Sequence, residues 1–236
     1  MNTSVARSGL PRTASARWFY ALKPASWPKL IVPALFGQLL GASATRHLDL
    51  VALGWGVAYT GFGLAFIVLL NDWGDREVDA IKRRMFPEGC SPKTIPDGIL
   101  RSSAVGRAGA LCGLASALAA AGAQATLGRP LAFAVGIACM LVFVGYTLPP
   151  LRLNYRGGGE LLEMAGVGVA LPLYNVYLQT GTVARGLGPW IAGFAMLSLA
   201  SAVASGLADE ESDRVGGKRT VASTFGNTSA RRLTEA

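Results

Sequence analysis

Residues Leu50–Leu70 read L-V-A-L-G-W-G-V-A-Y-T-G-F-G-L-A-F-I-V-L-L, and the chain passes directly into N-D-W-G-D-R-E-V-D, from Asn71 to Asp79. An uncharged apolar run of that length suits a helix crossing the hydrocarbon core of a bilayer. Three of the acids that follow, Asp72, Asp75 and Asp79, stand at i, i+3 and i+7. They share one face if the helix continues through them. The junction therefore predicts a membrane helix that ends in a face of carboxylates.

Working outward, five more segments have the same character: Leu30–Ala44, Ala104–Ala123, Leu131–Leu148, Leu161–Leu178 and Pro189–Leu207. Only 15% of residues are charged and mean hydropathy is +0.39, against roughly 25% charged in a typical soluble domain. The fold expected is all-α, a polytopic membrane bundle of about six transmembrane helices. Residues 1–29 read as a basic N-terminal tail and residues 30–236 as one transmembrane domain. Gly109, Gly113, Ala117 and Ala120 give the third segment the small side chains that let membrane helices approach closely.

Charge fixes an orientation. The connections Thr45–Asp49, Gln124–Pro130 and Gln179–Gly188 hold only Arg46, Arg129 and Arg185, leaving 19 of the 22 basic residues on the other side. This is a positive-inside pattern. It places both termini and the long loops in the cytoplasm, with a bacterial cell membrane as the expected location. The net charge of +8 is then spent on topology and anionic headgroups, and nucleic acid is not an expected partner. The tail lacks the apolar core of a secretory signal. Arg7, Arg12 and Arg17 among small residues leave a transit peptide open, with a plain cytoplasmic tail favoured. Sequons at Asn2 and Asn227 fall on the cytoplasmic side and read as chance.

Cys90, Cys112 and Cys139 form no CxxC pair, and His47 is the only histidine. Thiolate and multi-histidine metal sites are thereby excluded. Gly216-Gly217-Lys218-Arg219-Thr220 lacks the glycine spacing of a Walker A loop. Gly157-Gly158-Gly159 reads as a turn into the fifth segment, with Glu160 and Glu163 suited to a helix N-terminus.

Eight of the 14 acids fall in two groups, Asp72, Asp75, Glu77, Asp79 and Asp209, Glu210, Glu211, Asp213. Each group ends an apolar segment on the same side. Asp209 and Asp213, at i and i+4, share a face. Like charges at these spacings repel, and both groups sit at the negative ends of helix dipoles. A divalent cation would relieve both terms, and carboxylates with room for water and phosphate oxygens suit Mg²⁺. Lys82, Arg83, Arg84 and Lys93 follow the first group; Arg214, Lys218 and Arg219 follow the second. Acid followed by base at a membrane surface suits a metal-bridged diphosphate.

These residues resemble the motifs of the UbiA superfamily of intramembrane prenyltransferases. N-D-x-x-D-x-x-x-D is matched by Asn71, Asp72, Asp75 and Asp79, and D-x-x-x-D by Asp209 and Asp213. The resemblance implies a central cavity open sideways to lipid. It implies Mg²⁺ held by Asp72, Asp75, Asp79, Asp209 and Asp213 as the catalytic centre. A diphosphate would be bound with help from Asn71, Arg84, Tyr146, Arg152 and Lys218. Ser91–Gly98, Asn154–Glu160, Tyr177–Gly181 and Asp213–Thr220 are similar to the 1,4-dihydroxy-2-naphthoate polyprenyltransferases of menaquinone synthesis. Aromatic prenyl transfer to that acceptor is the expected activity. 4-Hydroxybenzoate, homogentisate or a chlorophyllide are the alternative acceptors. Family members generally carry further spans after the second motif. The chain would then be truncated and inactive, a non-catalytic binder of prenyl diphosphate, completed by a second copy or another subunit, or an active shortened variant.

Overall fold

The computed structural model describes residues 10–91, 93–182 and 185–235. The first nine residues of the tail, including Arg7 and the Asn2 sequon, lie outside the described residues. All regular structure among the described residues is helical: α1 Ala14–Ala21, α2 Pro28–Thr45, α3 Leu50–Gly74, α4 Arg76–Met85, α5 Ser102–Leu127, α6 Ala132–Thr147, α7 Leu153–Arg156, α8 Gly159–Glu163, a π-helical stretch Met164–Ala170, α9 Leu171–Thr180, α10 Gly188–Gly206, α11 Glu210–Val215, α12 Val221–Phe225 and α13 Asn227–Glu235, with short 3₁₀ turns between some of them.

Among the described residues four helices are long and apolar enough to cross a membrane: Leu50–Gly74, Ser102–Leu127, Gly159–Thr180 and Gly188–Val215. Ala132–Thr147 is apolar but shorter. The first expected segment falls in α2, whose Lys29, Gln38 and two prolines lower its hydropathy. Large apolar side chains point outward along these helices. Leu111, Leu114 and Leu118 of α5 are all about three-fifths exposed, an apolar face suited to lipid.

Packing follows the small residues. α3 lies along α5, with Gly113 against the Phe66 ring and Gly109 against Leu70. α2 lies along α9 so closely that a Cβ on Gly37 would stand 2.2 Å from the Pro172 carbonyl oxygen. At the end away from the aspartates, a buried ladder joins these helices. Gln38 Nε2 donates to Asn175 Oδ1 at 2.8 Å, and Gln179 Nε2 donates to Gln38 Oε1 at 2.6 Å and to the Asp49 carbonyl at 2.9 Å. Gln179 Oε1 accepts from the Asp49 amide at 2.9 Å. Polar side chains at this depth are tolerable because they are bonded to one another.

Two local expectations changed. The first aspartate helix does not run straight through its motif. α3 ends at Gly74 and α4 starts at Arg76, with Asp75 at φ −95° and ψ 7° between them. The bonds Asp75 N to Asn71 O and Asp79 N to Asp75 O persist at 2.8 Å each, so Asp72, Asp75 and Asp79 stay inward while Glu77 is exposed. The described part of the basic tail is also folded. Thr13 caps α1, whose Trp18 packs with Leu69 and Val105. The Gly157–Gly159 turn forms as the sequence predicts, with Gly157 at φ 82° and Gly158 at φ 120°.

Candidate active site

The site is built from chain segments far apart in sequence. Asn71, Asp72 and Asp75 end α3, and Asp79 lies one turn into α4. Asp209 closes a 3₁₀ turn after α10, and Asp213 lies in α11. Val78 of α4 fills the space where a Cβ on Gly216 would be, and this close packing sets the two motifs side by side. Glycine is needed at Gly74 too, where a Cβ would stand 2.7 Å from the Thr147 methyl of α6.

Below them opens a cavity of about 370 Å³. Its mouth carries Lys23, Asn71, Tyr146, Asp209, Asp213 and Lys218, and its walls are mainly apolar, including Leu64, Ile67, Met140, Phe143 and Val167. Asp72 and Asp75 are buried, at 2% and 5% exposure, behind the lysines that meet the cavity.

Every motif aspartate has a lysine beside it. Lys23 pairs with Asp72, Lys93 with Asp79 and Lys82 with Asp209. Lys218 Nζ lies 3.0 Å from Asp75 Oδ2, and Asp213 is among the carboxylates acting on the same ammonium. Burial alone would depress the Lys218 ammonium. The Asp75 carboxylate, joined by Tyr146 and Asp213, instead holds its pKa well above the usual lysine range. Asp75 is further bound by the Tyr155 hydroxyl at 3.0 Å and by Asn154 Nδ2 at 3.4 Å. Burial and the Asp75 charge push the Tyr155 hydroxyl upward, so it stays a donor. Thr94 donates to Asp72 Oδ2 at 2.6 Å.

The repulsion foreseen from sequence is thus relieved here by ammonium groups. Among the described residues no three acidic, histidine or cysteine side chains come close enough to hold a metal by themselves. The donor set still fits magnesium, which takes one or two carboxylates and fills its remaining positions with water and phosphate.

The other sequence candidates separate. Asn71 Oδ1 accepts from Thr147 at 3.2 Å, at the mouth. Tyr146 lines the mouth. Arg152, at φ 45°, donates through Nη2 to the Gly74 carbonyl at 2.7 Å and lies 3.8 Å over the Tyr155 ring. It closes the C-terminus of α3 beside Asp75. Arg84 is exposed on α4 and is not brought to the cavity. The reason is helical phase: Lys82 and Arg84 are two residues apart, so they point to different sides, and Lys82 takes the inner position.

Two participants were not foreseen. Lys23 lies in the supposed tail, where nothing in the local sequence marks it. Its φ of 45° is a conformation unusual for lysine, and it aims the chain at Asp72. The second is the tie of the long loop to α1 and α4. Asp97 in the long loop accepts from Arg83 at 2.6 Å and Tyr20 at 2.9 Å, tying loop, α4 and α1 together. Burial would raise the Asp97 carboxyl, but those hydrogen bonds bring it below the usual range. The Tyr20 hydroxyl is pushed up to about 12 by burial and Asp97.

Comparison with known proteins gives three results. The chain is 24% identical over 227 residues to a chloroplastic chlorophyll synthase of Oryza sativa subsp. japonica, covering 89% of this chain. It spans only 55% of that relative's length. A solved structure of a UbiA homolog from Archaeoglobus fulgidus, bound to DMAPP and Mg²⁺, superposes with a TM-score of 0.72 at 16% identity, covering 93% of this chain and 73% of the other. With the UbiA prenyltransferase family model matching residues 30–235, the chain belongs to the UbiA prenyltransferase family.

Proposed function

We propose that the protein is a Mg²⁺-dependent intramembrane prenyltransferase that moves a prenyl group from its diphosphate to an aromatic acceptor. The observation that carries this reading is the convergence of both aspartate motifs at one mouth of an apolar cavity. Metal would be held by carboxylates drawn from Asp72, Asp75, Asp79, Asp209 and Asp213, one or two to an ion with water and phosphate oxygens, and would supply charge neutralisation of the diphosphate leaving group. Lys23, Lys82, Lys93 and Lys218 already stand among those carboxylates, and they would turn to phosphate oxygens. Arg152 stays on the Gly74 carbonyl and positions Asp75.

The prenyl tail lies against the apolar walls, with C1 of the donor near Tyr146. Breaking the C–O bond leaves both electrons on the diphosphate and an allylic cation on the tail. The face of Tyr146 stabilises that cation. A ring carbon of the acceptor supplies the electron pair for the new C–C bond, and loss of a proton (or of CO₂ from a naphthoate) restores aromaticity. Apolar walls keep water from capturing the cation.

1,4-Dihydroxy-2-naphthoate is the acceptor favoured by the stretches around Ser91, Asn154 and Tyr177. Similarity to a chlorophyll synthase favours chlorophyllide as the second candidate. The basic loops on the aspartate side favour a cytoplasmic mouth. A non-catalytic prenyl diphosphate binder is the rival reading, favoured by the lysines that already pair with the motif carboxylates. The test is prenyl transfer in proteoliposomes with a panel of these acceptors, with and without chelator. Chelator-sensitive product with one acceptor supports the proposal; diphosphate binding with no transfer to any acceptor favours the rival.

A further inference from the structure

The cavity has a floor. Its lining runs along α3 from Asn71 down to Tyr59, and along the helix of α8 to α9 from Gly159 down to Leu171. At 1.5 Å per residue the α3 run descends about 18 Å. The second run contains the π-helical stretch Met164–Ala170, which rises less per residue, and is somewhat shorter.

At that depth Tyr59 is 4% exposed and Tyr174 fully buried. Their ring centroids lie 4.4 Å apart. The Tyr59 hydroxyl donates to the Gly136 carbonyl at 2.7 Å. Gly136 is itself packed so tightly that a Cβ would stand 2.9 Å from that of Ala120. Beyond the two rings lies the Gln38–Asn175–Gln179 ladder. Moving the rings down would strip partners from buried amides, which is costly at low dielectric. The side of the cavity towards α2 is also walled. Thr60 and Leu64 separate the cavity from an outer apolar groove lined by Ile31, Leu35 and Val57, and they are 6% and 5% exposed.

Each isoprene unit adds four chain bonds of about 1.5 Å, or roughly 5 Å when extended. We propose that the Tyr59–Tyr174 floor makes the protein selective for prenyl diphosphates of three to four isoprene units, farnesyl to geranylgeranyl. This rests on the prenyl-donor reading above, but it concerns binding and holds whether or not transfer follows.

The experiment is displacement of labelled farnesyl diphosphate from the full chain in nanodiscs with Mg²⁺, using geranyl, farnesyl, geranylgeranyl, hexaprenyl and octaprenyl diphosphates. Affinity should peak at farnesyl or geranylgeranyl and fall at least about tenfold for the two long donors. Met140→Trp adds a ring on the cavity wall six residues below Tyr146, about 9 Å down, and should move the optimum to geranyl. Tyr59→Ala should relax the limit towards hexaprenyl. Because Tyr59→Ala removes a buried ring, Met140→Trp carries the test if that variant does not fold. Equal affinity through octaprenyl, or a folded Met140→Trp with an unmoved optimum, overturns the proposal. If no prenyl diphosphate of any length binds, the selectivity and the transferase reading fall together. A length optimum without transfer to any acceptor leaves the selectivity standing and removes the transferase reading.

Discussion

Asp75→Asn separates the chemistry of the site from its packing. The substitution keeps shape and lets the amide oxygen accept from Tyr155, but removes the charge facing Lys218 at 3.0 Å. Breaking a buried ion pair costs about 3–5 kcal/mol when the remaining charge is stranded. Lys218 is not stranded, because Asp213 also acts on its ammonium and it sits 5.7 Å from the Tyr155 ring centre. The expected loss of stability is therefore nearer ~1–2 kcal/mol. Loss of a preorganised charge at the leaving group costs about 2.7–4 kcal/mol of the barrier, or roughly 10²–10³ in rate. The two effects are read separately, by thermal melting in detergent and by single-turnover prenyl transfer in proteoliposomes. The expected variant folds, inserts and melts slightly early, and transfers at least about a hundredfold more slowly. A folded variant with a rate within about threefold of the parent would refute the role given to Asp75.

Three further outcomes follow from the same geometry. Arg84→Ala should leave the transfer rate within about twofold, since an exposed charge on the outer side of α4 contributes little; a hundredfold loss would show that Arg84 swings inward when substrate binds. Gly37→Val forces a Cβ onto the Pro172 carbonyl and should separate α2 from α9, read as loss of a monodisperse peak in size exclusion at the cost of a strained core, ~3 kcal/mol or more. Asp97 carries a pH dependence of known sign. Its folded-state carboxyl lies below the ordinary value, so its contribution is full above the unfolded pKa of about 3.9 and fades as pH falls through the lower folded value. Asp97→Asn should flatten the stability profile in that acid range; an unchanged slope between the two proteins would count against the Arg83–Asp97–Tyr20 tie.

Much of the candidate site's arrangement was readable because its signals are local. Asp72, Asp75 and Asp79 are spaced for one helix face, and the backbone bonds that persist through Asp75 keep them on one side although the helix breaks there. Asp209 and Asp213 were legible in the same way. Lys218 was singled out as a cation following the second motif, and it does reach Asp75. Arg84 shows where local spacing misleads: two residues from Lys82 on the same short helix, only tertiary packing decides which of them faces inward. Lys23 shows the opposite failure, a site residue in a segment whose composition says only that it is basic.

The sequence by itself determined the class of the protein, a helical bundle in lipid with acidic helix ends on one side, because chain length, apolar runs and charge placement obey rules of short range. What only the tertiary structure decided was pairing: Lys23 with Asp72 across 49 residues, Lys218 with Asp75 across 143, and Tyr59 against Tyr174 beneath the cavity. Those contacts depend on how helices cross and how closely their glycines let them approach. No periodicity within a single helix encodes the partner that another helix brings.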